Sequence, residues 1–208
     1  LHVCDKNMEK MEKMEKTSKT STDTLLAEVC MAAKYEAESL INYRAQYDAE
    51  HHDFGSTICT VLARSFADIG DIVRGKDLYE GYDQKDKEQK VKLEKNLKNI
   101  FGKIYGELIK NNINGEEAKK RYKKDEDDGG NYFQLREDWW TANRHTVWEA
   151  MTCSEQLSNA SYFRPTCNSA DGKSQSQAHD KCRCPKSRDN KPNDQVPTYF
   201  DYVPQYLR

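Results

Sequence analysis

The chain has 208 residues, and its 33 basic residues are nearly balanced by 35 acidic ones, which gives a formal net charge of −2. This balance argues against a nucleic-acid-binding protein, which normally carries a basic excess. The mean hydropathy of −1.03 is low, but the apolar residues gather into periodic blocks that predict a folded core. No apolar run approaches the roughly 18 residues needed to cross a bilayer, so any membrane anchor is expected outside this chain.

The first predicted helix follows a break that is rich in serine and threonine. Its N-cap is expected at Asp23 or Thr24. Its apolar residues from Leu25 to Ile41 recur at spacings of three and four residues. This spacing predicts a long helix with one face in the core.

The block after Gly55 predicts a second helix with two distinct faces. Its apolar residues between Ile58 and Val73 fall within an arc of roughly 140° around the helix axis. The opposite side is charged and is therefore predicted to face solvent, with ion pairs at three- and four-residue spacings. The residues of this charged face are Arg64, Asp68, Asp71 and Arg74.

Helical spacing continues along the middle of the chain. An apolar stripe from 91 to 108 predicts a third helix, and a short charged helix is predicted over 116–124. The acidic run and paired glycines of 125–130 predict a mobile surface loop. In the block 131–151, tryptophans lie about 180° apart around the axis, so this helix is predicted to run enclosed through the middle of the fold.

Seven cysteines favour an oxidising compartment and a disulfide framework. Three lie in the first 59 residues and four in the last 56, which predicts two separately stapled regions. The polar stretch 153–193 shows no period and is predicted to be a long loop tied down by disulfides, in which four cysteines allow three pairings. The cysteines are Cys4, Cys30, Cys59, Cys153, Cys167, Cys182 and Cys184.

Motifs for catalysis are absent from the sequence. It contains neither a glycine-rich phosphate loop, nor a nucleophile elbow, nor the zinc-protease helix motif, so we expect no enzyme and no cofactor. A zinc- or thiol-dependent site formed by His179, Cys182 and Cys184 is the alternative hypothesis. The C-x-C spacing is too short for the usual structural zinc site, and disulfide partners lie nearby, so disulfides are favoured over a metal.

The polar loop also carries five cations within 11 residues. Closely spaced cations attract sulfated or sialylated glycans, so this loop is a candidate polyanion-binding site. The alternative is a solvated loop that needs charge for solubility. The five candidate residues are Lys181, Arg183, Lys186, Arg188 and Lys191.

Six ordered blocks, separated by variable polar stretches, resemble the Duffy-binding-like domain family. They are most similar to its alpha class, found in Plasmodium falciparum erythrocyte membrane protein 1, and together they span nearly the whole chain. The blocks read LHVCD at 1–5, LAEVCMAAKYE at 26–36, STICTVLARSFADIGDIVRGKD at 56–77, REDWWTANR at 136–144, VWEA at 147–150 and VPTYFDYVPQYL at 196–207.

The resemblance implies an all-α, disulfide-stapled helical bundle with long polar loops. It implies an adhesion domain on the extracellular face of infected erythrocytes, whose partner is a host-cell receptor or a glycan such as heparan sulfate or a blood-group sugar. It further implies one domain fragment, with about 1–60 in subdomain one, about 61–208 in subdomain two, and a third subdomain outside this chain.

The resemblance also implies a disulfide pattern. Shorter family members keep one cysteine after the tryptophan-rich helix and one near the C-x-C position. This implies a nested pair of bridges, Cys153 with Cys184 and Cys167 with Cys182.

Overall fold

The computed structural model describes residues 20–51, 57–110, 114–123, 125, 129–168, 174–185 and 195–208. The all-α class predicted from the sequence is confirmed, and the described part of the polar loop contains a two-residue antiparallel ladder, β1 (Cys167–Asn168) against β2 (Gln175–Ser176). Within these described ranges, 3₁₀ turns lie at Glu155–Leu157, Phe200–Tyr202 and Gln205–Leu207. The helices are α1 (Ser21–His51), α2 (Ile58–Arg74), α3 (Gln84–Ile109), α4 (Gly115–Arg121) and α5 (Phe133–Met151).

Helix α1 begins one turn before the predicted cap. The backbone N–H of Asp23 donates to Thr20 Oγ1 at 3.2 Å, and the backbone N–H of Thr20 donates to Asp23 Oδ2 at 3.3 Å. This reciprocal pair is a capping box, in which the residue three places into the helix returns a bond to the cap. Asp23 is therefore the returning partner, and Thr20 is the cap.

Helix α5 runs through the middle of the bundle, as its tryptophans predict. It packs against α1, α2 and α3. Phe66 of α2 contacts both Trp140 and Trp148, with ring centroids 5.1 and 5.2 Å apart, while Trp139 meets Phe101 of α3 at 6.2 Å. Aromatic side chains on opposite sides of α5 thus pack against two neighbouring helices, α2 and α3.

The contact between α2 and α5 depends on a glycine. A Cβ atom on Gly70 would lie 2.7 Å from Cζ2 of the Trp140 indole, which is closer than real carbon atoms approach. Trp140 is fully buried and has no room to withdraw. Glycine at this position therefore sets the distance between the two helices.

The start of α5 is capped from a distance. Tyr132 stands at the N-cap position with φ 56° and gives no side-chain cap. Asp125 accepts from the backbone N–H groups of Gln134 and Leu135, each at 3.0 Å, and is only 3 % exposed. The prediction of a mobile surface loop is therefore wrong for Asp125, while 126–128 lie outside the described residues.

Within the part of the chain that the structure describes, none of the helices is both long and apolar enough to cross a membrane.

Candidate receptor-binding surface

The charged face of α2 is solvated at Arg64, which is exposed as predicted, but the prediction of a solvated face is wrong for its C-terminal half. Asp71 is 5 % exposed and Arg74 is 1 % exposed. The predicted pair does form, since Arg74 Nη2 donates to Asp71 Oδ1 at 2.9 Å, but it forms in the interior. This part of the face is covered by residues 195–208, which we call the C-terminal segment. Its contact with α2 includes a hydrogen bond from the Arg74 guanidinium to the backbone carbonyl oxygen of Asp201.

Asp201 is the centre of a buried charge cluster. Arg144 Nε and Nη2 donate to its two carboxylate oxygens at 2.8 and 2.7 Å, and Trp140 Nε1 donates to Oδ2 at 2.9 Å. The carboxylate is thus satisfied by three donors, two of them from a bidentate guanidinium. This cluster attaches the C-terminal segment to both α2 and α5.

Arg208 extends the same cluster along α2. Its Nη2 contacts Asp71 Oδ2 and lies 3.6 Å from Asp68 Oδ1. Burial raises the pKa of Asp68 above its usual value, and the charge of Arg208 opposes that rise. Burial likewise lowers the pKa of Arg208. The wet-face prediction for α2 therefore fails at Asp68 as well, since this carboxylate is partly buried.

A groove lies beside this cluster, between α2 and α3, with a volume of about 490 Å³. We call it the aromatic groove. Its rim combines tyrosine and acidic groups, and Tyr79 Oη lies 3.1 Å from Asp86 Oδ2. Gln205 of the C-terminal segment closes one end by accepting from the backbone N–H of Leu78 at 2.8 Å. The apolar part of the groove is formed by Ile72, Leu93, Leu97 and Phe133.

Large apolar side chains are exposed around the aromatic groove. Leu78 is 61 % exposed, Tyr82 is 92 % exposed and Phe133 is 43 % exposed. Exposed apolar patches rimmed by polar residues mark interaction sites or ligand-binding grooves, and aromatic residues are enriched among the residues that dominate binding energy. Four acidic residues also line the groove, and three of them are ion-paired within the chain: Asp68 with Arg208, Asp77 with Lys90 and Glu94 with Arg136. These acidic residues are Asp68, Asp77, Asp86 and Glu94.

The disulfides differ from the nested pair implied by the family. Cys59 of α2 bonds to Cys182 and Cys167 bonds to Cys184, with Cα–Cα distances of 5.6 and 5.4 Å. The pairings of Cys153 with Cys184 and of Cys167 with Cys182 are therefore wrong, and Cys153 is an exposed free thiol.

The physical reason lies in the position of Cys182 against the helices. Trp148 Nε1 of α5 donates to the Cys182 carbonyl oxygen at 3.1 Å, which holds this part of the loop over the core and next to Cys59. The prediction of two separately stapled regions is also wrong, since this bridge joins them.

Cys30 is a half-buried free thiol whose pKa is raised by burial to about 11, and Cys4 lies outside the described residues.

Two of the five predicted polyanion-binding cations have structural contacts. Lys181 forms an ion pair with Glu155. Arg183 Nε donates to Thr152 Oγ1 at 2.9 Å, and its Nη2 donates to the Glu149 carbonyl oxygen at 2.7 Å. The other three predicted residues lie outside the described residues: Lys186, Arg188 and Lys191.

The zinc hypothesis is wrong. Cys182 and Cys184 both form disulfides, and His179 Nδ1 lies 3.2 Å from Ser161 Oγ. Among the described residues, no group of three or more His, Cys, Asp or Glu side chains is placed to hold a metal ion.

Sequence reasoning missed both the buried charge cluster and the aromatic groove. The signal for the cluster is Asp201, an acidic residue placed between Phe200 and Tyr202 in an otherwise aromatic segment. An isolated charge within an aromatic run needs a buried partner when that run packs on a core. For the groove, the lining residues come from distant parts of the chain, and the sequence contains no local signal of it.

Comparison with known proteins places this geometry in a family. A model described as the Duffy binding domain matches residues 1–208. The NTS-DBL1α1 domain of PfEMP1 from the Plasmodium falciparum varO strain is 39% identical, with a TM-score of 0.68, over 99% of this chain and 40% of that chain. A search of the curated proteins finds no match.

Two further solved structures are DBLβ domains of PfEMP1. An ICAM-1-binding DBLβ domain is 34% identical, with a TM-score of 0.55, over 88% of this chain and 34% of that chain. A DBLβ domain bound to human ICAM-1 is 25% identical, with a TM-score of 0.60, over 99% of this chain and 36% of that chain. This chain therefore spans about two fifths or less of the length of these relatives.

Proposed function

Because this chain belongs to the Duffy binding domain family, we propose that it is a host-cell receptor-binding adhesion module of a variant surface antigen. In this proposal it mediates cytoadhesion or rosetting of infected erythrocytes, faces outward from their membrane, and is anchored by segments outside this chain. The supporting observation is the related domain bound to human ICAM-1. We propose no enzymatic activity for it.

The division into subdomain one at about 1–60 and subdomain two at about 61–208 stays a prediction. Helix α1 falls in the first part and the other four helices fall almost entirely in the second. The Cys59–Cys182 bridge joins the two parts, and α1 packs on both α2 and α5. We therefore expect the two parts to unfold together rather than in separate steps.

We place the protein contact of this module at the aromatic groove. The occupant that fits is a receptor segment that places an apolar side chain in the groove, against Ile72, Leu93 and Leu97. Tyr82 and Phe133 are the expected anchors because aromatic residues dominate the binding energy of most protein interfaces. Both side chains are exposed, Phe133 lines the recess, and the backbone N–H of Tyr82 donates to Tyr79 Oη at its rim, which supports this assignment.

The test measures binding of the oxidised 208-residue protein to erythrocytes and endothelial cells. We expect Tyr82→Ser combined with Phe133→Ser to weaken cell binding by about tenfold or more. Tyr43→Ser is the matched control, since Tyr43 is 66 % exposed and lies on α1, which contributes no lining residue to the groove. Wild-type protein that binds neither cell type would overturn the adhesion proposal, whereas equal binding by the groove variant and the control would overturn only its location.

A further inference from the structure

One wall of the aromatic groove is a short irregular stretch, residues 76–82, which we call the strap. The strap follows Gly75, whose φ of 71° ends α2 in a left-handed conformation, and leads into α3. A second positive φ, 89° at Gly81, turns the chain near the other end of the strap. Asp77 and Tyr79 of the strap line the groove. The strap is therefore part of the proposed contact surface and lies between two glycine turns.

Burial of apolar side chains does not hold the strap in place. Each of its residues is exposed or partly exposed, and Tyr79 at the rim of the groove is 42 % exposed. Segments with few buried apolar contacts are those that open locally while the rest of a fold stays intact. The position of the strap therefore depends on its polar contacts.

Lys90 of α3 holds the strap through three acceptors. Its Nζ donates to the backbone carbonyl oxygen of Asp77 at 3.1 Å and to that of Tyr79. The same atom lies 3.2 Å from Asp77 Oδ2. An ammonium group has three protons, so these three acceptors use all of them. Because two of the acceptors are main-chain carbonyls two residues apart, Lys90 fixes the course of the strap backbone.

Two other residues support the strap at single backbone positions. Gln205 binds the N–H of Leu78, as described above, and its Nε2 donates to Asp77 Oδ1 at 3.1 Å. Asp86 Oδ2 accepts from the backbone N–H of Tyr82 at 3.4 Å. Each of these two contacts one backbone group of the strap, whereas Lys90 contacts two.

We propose that Lys90 is a positioning residue of the aromatic groove, which holds the strap in its binding-competent place before a receptor arrives. It acts through the strap, since it keeps Tyr79 at the rim and Tyr82, an expected anchor, beside it. A wall that is already ordered loses less conformational freedom on binding, so the preorganised groove binds more tightly. This inference rests on the proposed function, because it names the residue that prepares the proposed receptor contact.

The first measurement needs no receptor. It follows hydrogen–deuterium exchange of the oxidised 208-residue protein in a strap peptide and in a peptide from α5. We expect Lys90→Met to raise exchange of the strap amides about tenfold, since hydrogen bonds to a charged group are lost, and to leave exchange in α5 unchanged. Methionine keeps an apolar stem at this lining position and removes the three donors. Unchanged strap exchange would overturn the inference.

Two further variants make this measurement specific. Lys103→Met is the matched control, because Lys103 is exposed on the same helix about three and a half turns further along, and it should leave strap exchange at the wild-type rate. Asp77→Asn removes the charge of the Asp77 side chain but keeps both carbonyl acceptors, so its effect should be smaller than that of Lys90→Met. Equal effects of Asp77→Asn and Lys90→Met would overturn the role assigned to the two carbonyls.

The second measurement is binding of the same variants to erythrocytes and endothelial cells. We expect Lys90→Met to weaken cell binding about threefold or more, because the binding-competent strap is populated in a smaller fraction of molecules. Lys90→Arg, which keeps a cation with several donors, should restore part of both the cell binding and the slow strap exchange.

The outcomes separate this inference from the location of the receptor contact. Raised strap exchange with unchanged cell binding would overturn the positioning role if Tyr82→Ser combined with Phe133→Ser weakens binding. If that groove variant also binds as wild type, the location of the contact at the groove has failed, and the role of Lys90 in binding is overturned with it.

Discussion

The polar loop and the C-terminal segment are both largely irregular in structure, and two different kinds of interaction hold them in place. The loop is held by covalent bonds, Cys59–Cys182 and Cys167–Cys184. The C-terminal segment is held by the buried carboxylate of Asp201 and the arginines around it. Covalent closure acts mainly by restricting the unfolded chain, whereas a buried ion cluster must first repay the loss of hydration of its charges. The loop should therefore tolerate substitution of its side chains, and the C-terminal segment should depend on a few exact partners.

The largest effect should come from the bridge that joins α2 to the loop. Its cysteines are 123 residues apart, compared with 17 for Cys167–Cys184. In the chain-entropy account, replacing both members of the long bridge by serine costs about 5 kcal/mol, and replacing both members of the short bridge costs about 3 kcal/mol. Denaturant unfolding of the two double variants under oxidising conditions measures the difference.

A control for this comparison is Cys153→Ser, which removes an exposed free thiol and should leave the unfolding free energy within about 0.5 kcal/mol of wild type. A larger loss in Cys153→Ser than in the short-bridge variant would show that the pairing is different from the one described.

The next largest effect should follow Asp201→Ala. This change leaves the guanidinium of Arg144, whose side chain is 13% exposed, without its carboxylate, and removes the acceptor of Trp140 Nε1. Breaking a buried pair on one side costs about 3–5 kcal/mol. Glu155→Ala is the matched control, because the Glu155 side chain is 86% exposed and its pair with Lys181 should contribute at most about 1 kcal/mol. Thermal and denaturant unfolding that give equal losses would refute the structural role of Asp201.

A smaller effect on stability should distinguish Arg183, which has structural contacts, from the other cations of the polar loop, which are predicted to bind a ligand. Arg183→Ser should lower the unfolding free energy by about 1–2 kcal/mol, because Thr152 Oγ1 and the Glu149 carbonyl lose a charged donor. We predict that Lys186→Ser combined with Arg188→Ser instead weakens heparin binding and leaves stability unchanged within about 0.5 kcal/mol. Unaltered heparin affinity in the second variant would support the solvated-loop interpretation.

The smallest effect is an opposite pH dependence at two carboxylates. Hydrogen bonds from Arg121 hold the pKa of Asp138 below its usual value, so its stabilisation is present at neutral pH and is lost as pH falls through the folded-state pKa. Burial raises the pKa of Asp68, so protonation favours the folded state and stability is gained as pH falls through that pKa.

Measured from pH 7 to pH 3, the stability of Asp138→Asn relative to wild type should therefore rise, and that of Asp68→Asn relative to wild type should fall. Parallel trends for the two variants would contradict the described environments.

The helices themselves were predictable because apolar residues at spacings of three and four mark the face of each helix that packs in the core. The enclosed position of α5 followed from tryptophans on opposite sides of its axis, and the structure confirms it. The burial of Arg74 did not follow, because its cover is the C-terminal segment, more than 120 residues further along the chain. A helical wheel reports which residues share a face and contains no information about what packs on that face.

The prediction of the disulfide pairing was wrong for the same reason. Cysteine spacing within the loop suggested local closure, whereas Cys182 is carried to α2 by contacts of the folded core. The family-derived pairing assumed that bridges stay within the loop. Asp125 is a further case, since an acidic run is usually solvated, yet its first member caps α5.

The Cys59–Cys182 bridge also determines how the protein responds to mechanical force. When the two ends of a chain are pulled apart, an intact disulfide carries the tension directly from one cysteine to the other. The 123-residue interval between these cysteines therefore withholds about 400 Å of contour length from extension. The apolar part of the aromatic groove lies inside that interval, so it is shielded from forced unravelling when the molecule is under tension.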